Sequence, residues 1–378
     1  MYFQLLIFLL ALIGLGIYKE TGTPLQQKNA RKKYIIFMMV LLILQSGLRN
    51  LAVGGDTYQY YHIFKFASDS SWQQLFMYAS LPGSKDPGFP ILCKAFSTIF
   101  PNYRLFLIAV AVFFFSVLGR VLYDNLQSNL DVLVSISLYE CLYYGFFSIT
   151  GIRQTLATAI LLLALLIILK RGYSTKNTLS FFALFLLACT LHKSAFLFLP
   201  FYFLPLLRNN RIVFLFAFVL FVPMFSAGSY LGGFLEDTTF EKYAHYMQQS
   251  KTTGAIVFTL YIVLLALAIF IKLKSINAYS NCYHVYTSAI AIALLLSPLL
   301  VLDPNNQRIV QYFSIYGLII LPQLCRAYSR WISQRVLCIS IFAVLAAYTL
   351  LRHEPYAFFW QDMVFELSGE IVNDRIIQ

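Results

Sequence analysis

Three short stretches place a permanent cation where an apolar run begins: Thr150-Gly151-Ile152-Arg153-Gln154, His192-Lys193-Ser194, and Arg308 with Gln311 and Tyr312 a turn further on. Each cation is expected in the first turn of a helix, where the macrodipole already presents about half a positive charge. A cation there opposes the dipole, whereas the free amides of that turn favour an anion. One such placement is noise. Three suggest a shared anion, most simply a phosphate or diphosphate. The competing explanation is that each cation snorkels to a lipid phosphate or pairs with a nearby acid. His192, at an interface, reads equally as a hydrogen-bonded structural residue.

The acids and aromatics that could work beside these cations lie in one long loop. Asp56 follows Gly54-Gly55, a flexible turn that can bring a carboxylate close to a ligand. Asp86 precedes Pro87-Gly88, a turn signature. Either is suited to serve as general base toward a sugar hydroxyl or as the counter-ion that fixes an arginine. Asp86 as a plain turn former and Asp56 as a salt-bridge partner are the simpler alternatives. Tyr58, Tyr60 and Tyr61 could stack on sugar rings or form part of an aromatic belt at the headgroup level. Glu236, Asp237 and Glu241 read as solvated loop charge, because no DxD, HExxH or paired-histidine spacing accompanies them. Cys93, Cys141, Cys189, Cys282, Cys325 and Cys338 are scattered, with no CxxC pair. No P-loop, GxSxG elbow or dinucleotide fingerprint occurs, so neither a metal nor another cofactor is expected.

The elements that must position these residues are apolar. Of the 378 residues 60% are hydrophobic and 12% charged, and the mean hydropathy is +0.72. A soluble domain carries about twice that charged fraction. Apolar runs lie near 2–18, 34–48, 103–119, 130–148, 152–169, 178–191, 194–207, 212–227, 255–271, 285–302, 309–325 and 336–351. They predict an all-α, polytopic transmembrane helical bundle of about 12 spans in a single domain, 1–378. The alternating strands of a membrane barrel are absent. The net charge of +12 comes from Lys and Arg between apolar runs, without basic stretches interleaved with aromatics, so membrane lipids rather than nucleic acid are the expected neighbours. The basic short loops at 19–33, 120–129, 170–177, 208–211, 272–284 and 326–335 are read as cytoplasmic. The outer face then carries the large loops 49–102 and 228–254, the tail 352–378 and both termini.

In chain order GGDTYQYYHIF, DPGF, GIRQTLA, HKSAF and NQRIVQYF resemble the motifs of the EpsG-type family of Wzy-class polysaccharide polymerases, from about residue 54 to about 313. The resemblance implies a GT-C-like enzyme of the bacterial inner membrane, with its site facing the periplasm. Its substrate would be an undecaprenyl-diphosphate-linked oligosaccharide, and its reaction an inverting, metal-independent glycosyl transfer building O-antigen or a similar surface glycan. A flippase and a chain-length regulator of the same pathway are the implied partners. On this basis Arg153 and Arg308 are expected to hold the donor diphosphate, helped by Gln154 and Lys193. Asp56 or His192 would remove the acceptor proton, Asp86 would order the first loop, and Tyr58, Tyr61 and Tyr312 would contact substrate. The rivals are a lipid-linked oligosaccharide flippase, which needs cations in a cavity open to both sides, and a ligase with a nearly identical site. An acyltransferase lacks a donor motif here.

Overall fold

The structure, a computed structural model, describes residues 3–81, 86–207, 210–236, 252–278, 282–302, 306–351, 356–361, 364–367 and 370–373. Lys85, Asp237 and Glu241 lie outside these residues, as do parts of the tail beyond 351. The described chain is helical apart from an antiparallel pair, Val364–Leu367 with Glu370–Asn373. It forms two compact units: Met1–Phe196 with Cys338–Gln378, and Leu197–Leu337.

Among the described residues four helices are long and apolar enough to cross a bilayer: Tyr103–Asn125, Ile152–Arg171, Gly254–Asn277 and Gln334–Leu351. A bent pair, Gln307–Ser314 and Gly317–Ala327, passes the same criterion together, at 49° to one another. With the shorter apolar helices they make this a membrane-embedded helical bundle.

In the first unit, α1 (Phe3–Ile17) is followed by α2 (Pro24–Gly47). The latter starts ten residues ahead of the apolar run at 34–48, because Thr23 and Gln26 form a reciprocal capping box with Pro24 at the first helical position. The loop expected at 49–102 is mostly helical: α3 (Thr57–Asp69), α4 (Trp72–Ser80) and α5 (Gly88–Ile99). Their apolar faces are short, so they escape a search for span-length runs. Phe64, Phe89, Phe96, Tyr103 and Phe106 interlock as one aromatic cluster between α3, α5 and α6 (Tyr103–Asn125).

Next come α7 (Asn129–Leu142), a π-helical turn (Gly145–Thr150), α8 (Ile152–Arg171) and α9 (Thr175–Leu191). The segment after α9 is not the continuous helix expected at 194–207. It is a 3-10 stretch (Lys193–Phe198) followed by α10 (Pro200–Phe203) and a last 3-10 turn, with Pro200 and Pro205 interrupting the backbone ladder.

The second unit contains α11 (Asn210–Glu236), α12 (Thr252–Asn277), α13 (Tyr283–Leu296), α14 (Leu299–Leu302), α15 (Gln307–Ser314) and α16 (Gly317–Ala327). The run at 285–302 is broken at Ser297-Pro298, where the proline has no amide to donate and its ring crowds the preceding turn. Phe198, Phe201, Phe313, Tyr316 and Tyr286 stack in sequence through its core.

After α17 (Gln334–Leu351) the chain returns to the first unit, where Tyr356–Gln361 lies along the residues that follow α2. The Asn50 amide donates to the Ala357 carbonyl at 2.9 Å and the Phe359 amide to the Leu48 carbonyl at 3.0 Å. The Tyr356 hydroxyl donates to the Gln45 carbonyl at 2.6 Å, and its ring stacks on Phe3 at 4.8 Å. This strap belongs to the tail that the sequence left outside every motif.

One glycine sets the distance between α5 and α9. A Cβ added to Gly88 would lie 2.4 Å from Thr190 Oγ1 and 2.9 Å from the Thr190 backbone carbon. Gly88→Ala is therefore expected to cost about 1–3 kcal/mol by overpacking, read as a lower unfolding midpoint in detergent. Trimming the hydroxyl with Thr190→Ala should not restore it fully, because the backbone contact remains; full restoration would refute the close-approach argument.

Candidate functional site

The local backbone that aims Arg153 begins with the end of α7. After Leu142 the ladder widens into the π-helical turn, and the Gly151 amide reaches back to the Phe146 carbonyl at 2.7 Å. Such a turn leaves carbonyls without regular helical partners, and side chains from three other segments satisfy them. Ser46 donates to the Ser148 carbonyl at 2.9 Å, Thr155 to the Phe147 carbonyl at 2.8 Å, and Arg49 Nη2 to the Ile149 carbonyl at 3.2 Å. Gly54, at φ +85°, packs so closely on this turn that a Cβ would fall 2.1 Å from Ile149 Cγ2. Gly54, rather than Gly55, thus serves backbone approach to the π turn.

Arg153 follows in the first turn of α8, against the macrodipole as expected. Its anionic partner is Asp86. Arg153 Nη1 donates to Asp86 Oδ2 at 2.7 Å, with the two side chains 13% and 1% exposed. The same carboxylate accepts the Lys193 backbone amide at 2.8 Å through Oδ1, and His192 Nδ1 lies 3.3 Å from Oδ2. One carboxylate therefore joins the turn before α5, the start of α8 and the end of α9. Asp86 has φ +54° and is the only non-glycine with positive φ among the described residues. Aspartate visits that region more readily than most residues, and its three partners hold it there.

Burial pushes the Asp86 pKa up. The His192 hydrogen bond, the Lys193 amide and the Arg153 charge together outweigh burial and hold it below the ordinary carboxylate value. An ionised carboxylate only accepts, so His192 Nδ1 carries a proton and neutral His192 presents its lone pair on Nε2. That Nε2 is buried and has no hydrogen-bond partner among the described residues. The arrangement is an acid–histidine pair of the kind that orients a general base.

Aromatic residues close one side. The Arg153 guanidinium lies 5.5 Å from the Tyr60 ring, which packs edge-on to Phe89 at 5.5 Å. Of the tyrosines expected to meet substrate, Tyr58 and Tyr61 are half-buried and pack on each other at 6.3 Å and around His62. Tyr61 also abuts Tyr103. Asp56 occupies the N-cap position of α3 without a side-chain cap bond. Gln154 is buried and Lys193 exposed. Lys193 opens a six-residue 3-10 stretch and His192 caps α9, so this pair marks the end of one helix rather than the first turn of a longer one. Arg308 and Tyr312 belong to the second unit, in α15, where Arg308 is half-buried in the first turn and Tyr312 fully buried.

Near the cluster, sequence reasoning did not set Tyr60 apart from Tyr58 and Tyr61, and it did not name Arg49 as a site candidate. Tyr60 was one of three equivalent tyrosines, and only its place on the buried face of α3 sets it apart. Arg49 directly follows the apolar run at 34–48, which was the available signal, yet it reads from sequence as an ordinary loop cation. It is 3% exposed.

Because the folded-state pKa of Asp86 is depressed, its contribution to stability is complete above the unfolded value of about 4 and is lost as pH falls through the folded one. Asp86→Asn leaves the Arg153 charge half-buried and uncompensated, at an expected cost of about 3 kcal/mol near neutral pH. Unfolding midpoints of the two proteins should converge on acidification. A gap that stays constant from neutral pH into the acid range would refute the ion pair's role.

Comparison with individually characterised proteins gives no significant match, nor does comparison with solved structures. The family model described as EpsG family matches residues 32–361, most of the chain, and its last matched residue is the last residue of the strap. The matched region takes in Arg49, Asp86, Arg153 and His192. The chain belongs to the EpsG family, a family of Wzy-like polysaccharide polymerases.

Proposed function

We propose that this protein joins undecaprenyl-diphosphate-linked oligosaccharide repeats at the periplasmic face of the bacterial inner membrane, extending O-antigen or a similar surface glycan. The observation that carries the reading is the Asp86–Arg153–His192 cluster, a fixed guanidinium beside an oriented histidine, in a chain of this family. Its fold on this proposal is a GT-C-like bundle of about twelve spans, with the basic short loops in the cytoplasm.

The acceptor hydroxyl of a new lipid-linked unit attacks the anomeric carbon of the growing chain. Its proton passes to His192 Nε2, and the bond from the anomeric carbon to the diphosphate oxygen breaks with its electron pair leaving on undecaprenyl diphosphate. Attack opposite the leaving group inverts the anomeric centre. Charge develops on the departing diphosphate, where pre-positioned N–H donors of Arg153 and the Lys193 ammonium stabilise it. Of the two bases considered from sequence, His192 is the one beside an orienting carboxylate, while Asp56 stands at the N-cap position of α3. Arg308 and Tyr312 are separate substrate-binding candidates of the second unit. No nucleotide is consumed, since the glycosyl–diphosphate bond supplies the driving force.

A deletion strain should lose long chains while single repeats remain attached to the surface lipid, and Arg153→Ala at normal protein level should reproduce that profile. Loss of all surface glycan would identify a flippase or ligase instead, and full polymer length with Arg153→Ala would exclude Arg153 from the reaction. Purified protein given a defined lipid-linked repeat should polymerise it in EDTA. His192→Gln should lower turnover by about 100-fold or more, the usual contribution of a general base. An EDTA-sensitive reaction would refute metal independence.

A further inference from the structure

Arg153 is the conspicuous cation of the sequence, but its charge is already answered by Asp86 at 2.7 Å. Arg49, in the same unit, is a buried cation that no acid answers among the described residues. Of its five N–H donors, one reaches the Ser46 carbonyl and one the Ile149 carbonyl, at the ends of α2 and of the π turn. Nε is buried with no partner among the described residues. The two carbonyls explain why a cation is tolerated there, since both lie at negative helix ends. Among the described residues they leave the net charge without a counter-ion and Nε without a partner, and a buried charge without a counter-ion is costly.

The surroundings are those of a ligand site rather than of a salt bridge. Tyr60, Tyr103, Tyr144 and Tyr356 stand close enough to interact electrostatically with Arg49. Tyr60 is the ring that also faces Arg153, so the two guanidiniums share one aromatic neighbour. The strap Tyr356–Gln361 covers Arg49 through backbone bonds made by Leu48 and Asn50, none of them from the guanidinium itself.

We propose that Arg49 is the anion-binding guanidinium of this site, taking a phosphate oxygen of the lipid-linked diphosphate. Arg153, neutralised by Asp86, contributes directed N–H donors but no net charge. The proposal rests on the reading of the protein as a polymerase of diphosphate-linked repeats. It deepens that reading by placing the attracting charge on a residue that no motif marks.

The test is the thermal shift of full-length protein in detergent, titrated with undecaprenyl diphosphate and, separately, inorganic diphosphate. Wild type, Arg49→Gln, Arg49→Lys and Arg153→Gln are compared. The wild-type midpoint should rise with either probe, and the affinity should fall with added salt, as for any charge-driven contact. Arg49→Gln keeps an amide to bond the two carbonyls but loses the charge. Its affinity should fall by tenfold or more, about 1.4 kcal/mol, and by more than in Arg153→Gln. Wild-type-like affinity in Arg49→Gln, with Arg153→Gln impaired, overturns this proposal and leaves the polymerase site standing. No shift of the wild type with either probe overturns both. If Arg49→Gln does not fold, Arg49→Lys decides: lysine keeps the charge without the planar fork, so affinity within about threefold of wild type that still falls with added salt supports the proposal, and a loss of tenfold or more overturns it.

Discussion

The arrangement of the first unit depends on one carboxylate. Asp86 is buried, ionised and shared among a guanidinium, an imidazole and a backbone amide from segments far apart in the chain. A charge in that position is tolerable only because each of its oxygens is occupied. The same requirement locks the start of α8 to the end of α9 and to the turn before α5. Gly88 brings α5 against α9 closely enough for the turn to reach, and the unusual backbone of Asp86 completes the approach. Geometry and electrostatics are therefore one constraint here. The histidine is oriented by the ionised aspartate, and the aspartate stays ionised because the histidine, the Lys193 amide and the arginine together outweigh its burial.

A second constraint is the π-helical turn ahead of Gly151. A regular helix running from α7 into α8 would satisfy its own carbonyls and need nothing from outside. The widened turn instead recruits Ser46, Arg49 and Thr155, which ties the start of the arginine helix to the end of α2. The C-terminal strap pairs with the same stretch after α2. A family match reaching that strap is consistent with its belonging to the functional body rather than to a dispensable tail.

Much of this was legible in sequence. Apolar runs of about 15–20 residues locate the helices because a bilayer accepts only backbones that satisfy themselves. The motifs in order resemble the family that the match over residues 32–361 establishes. The residue types of the site were legible too: Asp86, Arg153 and His192 were each singled out, with counter-ion among the roles considered for Asp86. The helices of the long first loop were hidden, because α3, α4 and α5 are short and mixed in polarity. The breaks at Ser297-Pro298 and between α15 and α16 blur into continuous apolar runs, because hydropathy averages over the turns that interrupt them.

What the sequence determined by itself is the class of molecule and the residue types available for its chemistry, since both follow from local pattern. Which charges cancel was decided by the tertiary structure. Arg153 is set by sequence against its own helix dipole and so calls for an anion, yet Asp86, 67 residues earlier, meets it directly. Arg49 looks like an ordinary loop cation, yet folding buries it without an acid. Pairing and burial depend on contacts between distant segments, and no local pattern encodes those. The physical reason is desolvation: a cation in water needs no partner, so the demand for one arises only when tertiary packing removes the water.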